Sequence, residues 1–113
     1  MAVDKSLVSG SMTMLLLKLL EEKDMYGYEM IETLGKRSNN VFELKAGTLY
    51  PLLHTLENKQ WVHSYEQEVN GKMRKYYALT KEGKKVSHEK QSEWKKYAEG
   101  VLGVIGGVSY GYV

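Results

Sequence analysis

Apolar residues recur along the first part of the chain at spacings of three and four, the signature of helices. From about Leu7 to Glu22 they are Val8, Met12, Leu15, Leu16, Leu19 and Leu20, with Met14 and Leu17 adding apolar surface on other sides. A helix apolar on more than one side needs two neighbours, here the domain's own core and, as a candidate, a partner chain. Lys23 and Asp24 interrupt the pattern. A second short helix is expected from Tyr26 or Gly27 to Lys36, burying Met30, Ile31 and Leu34 and ended by Gly35 and the polar run up to Asn40. A third is signalled by Leu49, Leu52, Leu53 and Leu56, at i, i+3, i+4 and i+7. Pro51 has no amide hydrogen and is tolerated in a first turn, so this helix should start between about Ala46 and Tyr50. The face opposite the leucines then carries Thr48, Pro51, His54, Thr55 and Asn58.

Past Gln60 the period changes. Trp61, Val62, Tyr65 and Val69 form one run and Tyr76, Tyr77 and Leu79 another, with Asn70-Gly71 between them. Asn-Gly supplies the positive φ angles of a tight turn, and aromatic and β-branched residues favour strands, so a two-stranded hairpin is predicted. Thr80 is placed to cap a last helix from about Lys81 to Leu102, whose apolar stripe of Val86, Trp94, Tyr97, Ala98 and Val101 is broken. Gly103 to Val113 is rich in glycine and without charge, and reads as a mobile or adhesive extension. The fold class is therefore α+β, mainly α: a winged helix-turn-helix with a two-stranded wing and a long C-terminal helix. Residues 1–80 are expected to form the winged domain, 81–102 the long last helix and 103–113 the tail.

With 113 residues, of which 42% are hydrophobic, the chain suits one compact domain with a modest core, a size at which oligomers often complete the packing. It has no cysteine, which removes disulfides, thiolate nucleophiles and the usual zinc sites. No apolar run approaches a bilayer span, and Met1 to Lys5 lacks the order of a signal peptide, so a cytosolic protein with no membrane partner is expected. The net charge of +2 is unevenly spread: residues 1–69 hold seven Lys/Arg and ten Asp/Glu, residues 70–96 nine and three. A basic segment on an otherwise acidic chain suits a polyanion, the plainer alternative being a solvated lysine-rich face. The three histidines have no acidic partners at metal-ligand spacing, and no nucleophile elbow or phosphate loop is present, so neither an enzyme nor a cofactor or metal site is expected.

Several short stretches, taken together, carry a specific resemblance: Tyr26-Gly27-Tyr28-Glu29, Gly47-Thr48-Leu49-Tyr50-Pro51-Leu52-Leu53, Leu56-Glu57, Arg74-Lys75-Tyr76-Tyr77, Leu79-Thr80 and Glu82-Gly83. From about Leu7 to Leu102 the chain resembles the PadR family of bacterial regulators, in its short subgroup with a single C-terminal helix. Gln60 departs from the glycine of many relatives, and the glycine-rich tail is no general family feature.

The resemblance implies a homodimer built on the first and last helices, binding an inverted repeat of double-stranded DNA, more often as a repressor. It places Thr48 and Tyr50 against DNA at the start of the recognition helix, though Thr48 could instead cap that helix and Tyr50 pack on the second. Lys72, Arg74 and Lys75 on the wing, and Lys45 before the third helix, are phosphate candidates. Trp94 resembles a tryptophan that stacks on small aromatic ligands in multidrug-binding relatives, the alternative being a dimer-packing role. A rival reading is a winged-helix module that binds protein and not a specific DNA sequence.

Overall fold

The structure, a computed structural model, describes residues 5–106, with side chains from residue 11 onward. Its elements are α1 (Lys5–Glu22), β1 (Met25–Tyr26), α2 (Gly27–Arg37), α3 (Ala46–Asn58), β2 (Val62–Val69), β3 (Lys72–Leu79) and α4 (Lys81–Ile105). The fold is the expected α+β winged helix, with one strand more than the sequence signals. The sheet is antiparallel in the order β1-β3-β2. Strand β1 is two residues long, too short for an alternating pattern, and exists because Met25 and Tyr26 pair with Tyr77 and Tyr76 of β3. The last helix runs three residues past Leu102 and stops at Gly106, whose φ of 70° is the left-handed C-terminal cap that glycine adopts freely. Residues 1–4 and the rest of the tail, 107–113, lie outside the described residues.

The core fills the space between the helices and one face of the sheet. From α1 it takes Met12, Leu16, Leu17, Leu19 and Leu20; from α2, Met30 and Leu34; from α3, Leu49, Leu53 and Leu56; and from the sheet, Met25, Val62 and Tyr77. The several apolar sides of α1 are thus met largely within the chain. Helix α3 begins at Ala46, the early limit of the expected range, which puts Pro51 at the sixth helical position. There proline leaves the Gly47 carbonyl without its helical amide, a cost that solvent reduces because Gly47 is exposed.

Two junctions aim the hairpin. At the end of α3, the Trp61 amide donates to the Leu56 carbonyl (3.0 Å) and the Gln60 amide to the Glu57 carbonyl (2.9 Å), the paired bonds of a Schellman cap. That cap needs a left-handed residue, and here it is Gln60, at φ 63°. At the start of α4, the Thr80 hydroxyl accepts from the Gly83 amide (2.9 Å) and donates back to the Gln60 carbonyl (2.7 Å), while the Thr80 amide donates to the Trp61 carbonyl (3.0 Å). Gly83 sits directly against that same Trp61 carbonyl, and a Cβ there would overlap it. α4 and β2 can therefore meet this closely only because position 83 has no side chain.

Helix α4 returns along α1. The fully buried Ser87 accepts from Gln91 Nε2 (2.9 Å) and donates to Glu21 Oε2 (3.4 Å), and His88 Nε2 lies 3.1 Å from the same carboxylate. Burial works to raise the Glu21 pKa, yet the hydrogen bond from His88 and the charge of Lys18 outweigh it and hold the group below the ordinary carboxylate value.

Gly83→Ala should cost about 2 kcal/mol or more in urea unfolding, because the atom it adds meets backbone and not a flexible side chain. Gln60→Gly should instead stabilise by roughly 0.5–1 kcal/mol, since a left-handed non-glycine residue costs about 1–2 kcal/mol and the entropy of glycine offsets part of the relief.

Candidate nucleic-acid interface

With Leu49, Leu53 and Leu56 turned into the core, 3.6-residue periodicity turns Thr48, Pro51, His54, Thr55 and Asn58 outward, and all five are exposed. No exposed residue of α3 is a lysine, arginine or carboxylate. Lys45, not Thr48, is the N-cap residue. Its carbonyl accepts from the amides of Thr48 (3.0 Å) and Leu49 (2.9 Å), and no side chain caps the first turn. Thr48 stands exposed at the third helical position, so the alternative of a capping threonine does not hold. Thr55 returns its hydroxyl proton to the Pro51 carbonyl (3.1 Å).

Tyr50 packs against the start of α2, as the alternative reading has it, and is still partly exposed. The hydroxyl end of its ring rests on Gly27, the first residue of α2, so closely that a Cβ at Gly27 would overlap it, yet 46% of the residue stays exposed. Gly27 thus fixes how near α3 comes to the start of α2. Beside this contact Tyr77 is buried. Burial chiefly pushes its phenol up, against the pull of Lys75, while Glu57 and Tyr50 lie close enough to add to the rise.

The wing closes through Asn70 (φ 52°) and Gly71 (φ 79°), the left-handed pair of a type I′ turn, which sets Val69 opposite Lys72. Strand alternation then separates the three wing cations. Lys72 and Arg74 share a face with Tyr76. Lys75 shares the other with Tyr77, its ammonium 5.6 Å from that ring, and is registered opposite Glu66. Lys45, Lys72 and Lys75 are exposed, whereas Arg74 is half-buried, with its guanidinium 4.6 Å above the Tyr26 ring.

Around Arg74 runs an aromatic ladder that sequence reasoning missed. The Tyr26 ring meets Tyr76 edge-on at 5.4 Å, Tyr76 stacks on Tyr65 at 5.7 Å, and Tyr65 donates its hydroxyl to Asp24 Oδ2 at 2.6 Å. Its only trace in the sequence is the pair Tyr65 and Tyr76, which become direct cross-strand partners once the Asn-Gly turn fixes the register. Asp24 and Tyr26 belong to the α1–β1 stretch, remote from the wing in sequence but beside β3 in the sheet.

Trp94 lies far along α4, 48% exposed. Past Ser87 no described residue of α4 is buried, and Tyr97, Val101, Val104 and Ile105 continue the exposed apolar series. Among the described residues, no three His, Cys, Asp or Glu side chains gather as a metal site would require, and no helix is long and apolar enough to cross a membrane.

The profile of the transcriptional regulator PadR-like family matches residues 16–89, most of the chain. The chain belongs to the PadR-like family of transcriptional regulators. Solved structures agree. A PadR family regulator from Eggerthella lenta is 33% identical, with a TM-score of 0.77 over 88% of this chain and 86% of that one. One from Clostridium difficile is 37% identical, with a TM-score of 0.70 over 85% and 98%. A transcriptional regulator from Clostridium thermocellum is 31% identical, with a TM-score of 0.79 over 86% and 95%. PadR-like proteins are DNA-binding regulators and not enzymes, and they typically act as dimers.

In this PadR-like chain the bond to Asp24 pushes the Tyr65 phenol up to about 12, with burial and the Asp24 charge adding to it. A phenol whose pKa is raised on folding stabilises the fold below its unfolded value of 10.0, and that contribution is lost as pH rises through about 12. Tyrosinate absorbance should accordingly show late-titrating tyrosines, one of which Tyr65→Phe removes. If Tyr65→Phe leaves the titration unchanged, the ladder is not anchored at Asp24.

Proposed function

We propose that the protein is a homodimeric repressor that binds an inverted-repeat operator, the first turn of α3 entering the major groove and the wing lying along the backbone. The observation that carries this reading is the composition of α3's outer face: short, polar, free of charge and exposed, beginning at an uncapped helix start next to Lys45. An uncapped N-terminus favours a phosphate, and Thr48, together with the exposed part of Tyr50, supplies hydroxyls to backbone or base edges. Lys72, Arg74 and Lys75 add phosphate contacts from both faces of the wing.

The apolar series Trp94, Tyr97, Val101, Val104 and Ile105 is the partner surface of the second copy, with α1 beside it, so that α4 beyond Ser87 serves as the dimerisation helix. A small planar compound wedged at Trp94 would alter the spacing of the two recognition helices. It would relieve repression to the extent that it binds the DNA-incompetent spacing more tightly.

Fluorescence anisotropy tests the reading. The duplex from upstream of the protein's own gene should bind in clear preference to a scrambled duplex, with affinity falling steeply as salt rises. Lys72→Ala with Lys75→Ala should lower the slope of log K against log salt by about 0.9 for each phosphate that is no longer neutralised. Equal, salt-insensitive binding to both duplexes would refute operator recognition and favour a protein partner.

A further inference from the structure

Arg74 differs from the other basic residues of the interface. It is half-buried, its Nε is sealed from solvent without a hydrogen-bond partner, and it makes no ion pair among the described residues. Glu66 and Glu68 lie on the opposite face of the wing, opposite Lys75 and Met73, while the residue registered across from Arg74 is the neutral Gln67. An arginine kept from every nearby carboxylate, with only its Nε sealed off, leaves its terminal guanidinium nitrogens for an anion that arrives from outside.

What holds Arg74 in this state is Tyr26. The ring lies beneath the guanidinium and is braced from one side: its backbone pairs with Tyr76, its ring meets the Tyr76 ring in a T-shaped contact, Tyr76 stacks on Tyr65, and Tyr65 is tied to Asp24. The next residue along the chain is Gly27, against which Tyr50 of α3 is seated. One dipeptide therefore touches both DNA-facing elements, the wing through Tyr26 and the recognition helix through Gly27.

We infer that Tyr26 is a positioning residue that presets Arg74 to take a phosphate of the DNA backbone, and that Tyr26-Gly27 fixes the wing's arginine relative to the first turn of α3. The inference rests on the DNA-binding reading above. An arginine already parked on a ring has given up rotamer freedom that a free surface lysine surrenders only on binding, so the preset contact is tighter for the same charge. Tyr26 itself touches no DNA and acts through Arg74.

The test is a double-mutant cycle on the full chain, read by anisotropy with a fluorescein-labelled duplex of mixed sequence over a salt series, so that the operator need not be known. Thermal melts confirm that each variant is folded. Arg74→Ala should lower the salt slope by about one. Tyr26→Leu should weaken binding about three- to tenfold in the wild-type background and have no further effect in the Arg74→Ala background, while Tyr26→Phe, which keeps the ring, binds as wild type. Arg74→Lys, which leaves the ladder untouched and serves if Tyr26→Leu does not fold, should retain the slope and lose affinity because the guanidinium preset over the ring is gone. Additive losses from Tyr26→Leu and Arg74→Ala, an unchanged slope in Arg74→Ala, or wild-type affinity in Arg74→Lys would overturn the inference alone. A wild type that binds without salt dependence would remove the DNA-binding reading together with it.

Discussion

Burial of the α3 leucine stripe is the constraint from which the rest of the interface follows. Leu49, Leu53 and Leu56 are almost wholly withdrawn from solvent. Replacing one such side chain with alanine typically costs about 2–5 kcal/mol, a large part of the roughly 5–15 kcal/mol that holds a small domain together. Because these three are fixed inward, helical geometry leaves no freedom over what faces out. The outward set of Thr48, Pro51, His54, Thr55 and Asn58 is too polar to pack on a second core layer and carries no charge to hold it to another part of the chain. A helix of this kind is anchored on one side and chemically open on the other, as reading a groove requires.

The remaining elements set where that helix stands relative to the wing, and they do so through close approaches. Gly27 lets Tyr50 rest on the start of α2, and Gly83 lets α4 begin against the Trp61 carbonyl. Thr80 bonds to both sides of the second junction, so the base of the hairpin and the first turn of α4 move together. The buried positions of α4 end at Ser87, and beyond it Trp94, Tyr97, Val101, Val104 and Ile105 stay exposed. In the proposed dimer a second copy covers them, and the same helix then sets both the dimer and the spacing of the recognition helices.

Most of the architecture could be read from the sequence because it is written in local periodicity. The stripes at spacings of three and four marked the helices, Pro51 limited where α3 could start, and Asn70-Gly71 fixed the turn and with it the entire β2–β3 register. Strand β1 was not legible, since two residues carry no period and their pairing with Tyr76 and Tyr77 spans fifty positions. The same holds for the aromatic ladder, which joins Asp24 and Tyr26 to the wing. Of the candidate residues, Lys45, Thr48, Lys72 and Lys75 are exposed as a DNA-facing role needs. Strand alternation divides the wing cations, placing Arg74 and Lys75 on opposite faces. At Gln60 a departure from the family's glycine became intelligible only when its left-handed backbone was seen.

The central claim is that the outer face of α3 lies in the major groove, and the absence of cysteine from the chain makes a direct measurement possible. A single thiol introduced by Thr48→Cys, or as a control by Glu93→Cys on the far part of α4, can be offered a bound duplex whose bases carry a thiol tether in the major groove. Disulfide cross-linking should be efficient for Thr48→Cys and absent for Glu93→Cys. A protein that binds the duplex yet cross-links at neither position, or equally at both, would contradict the account.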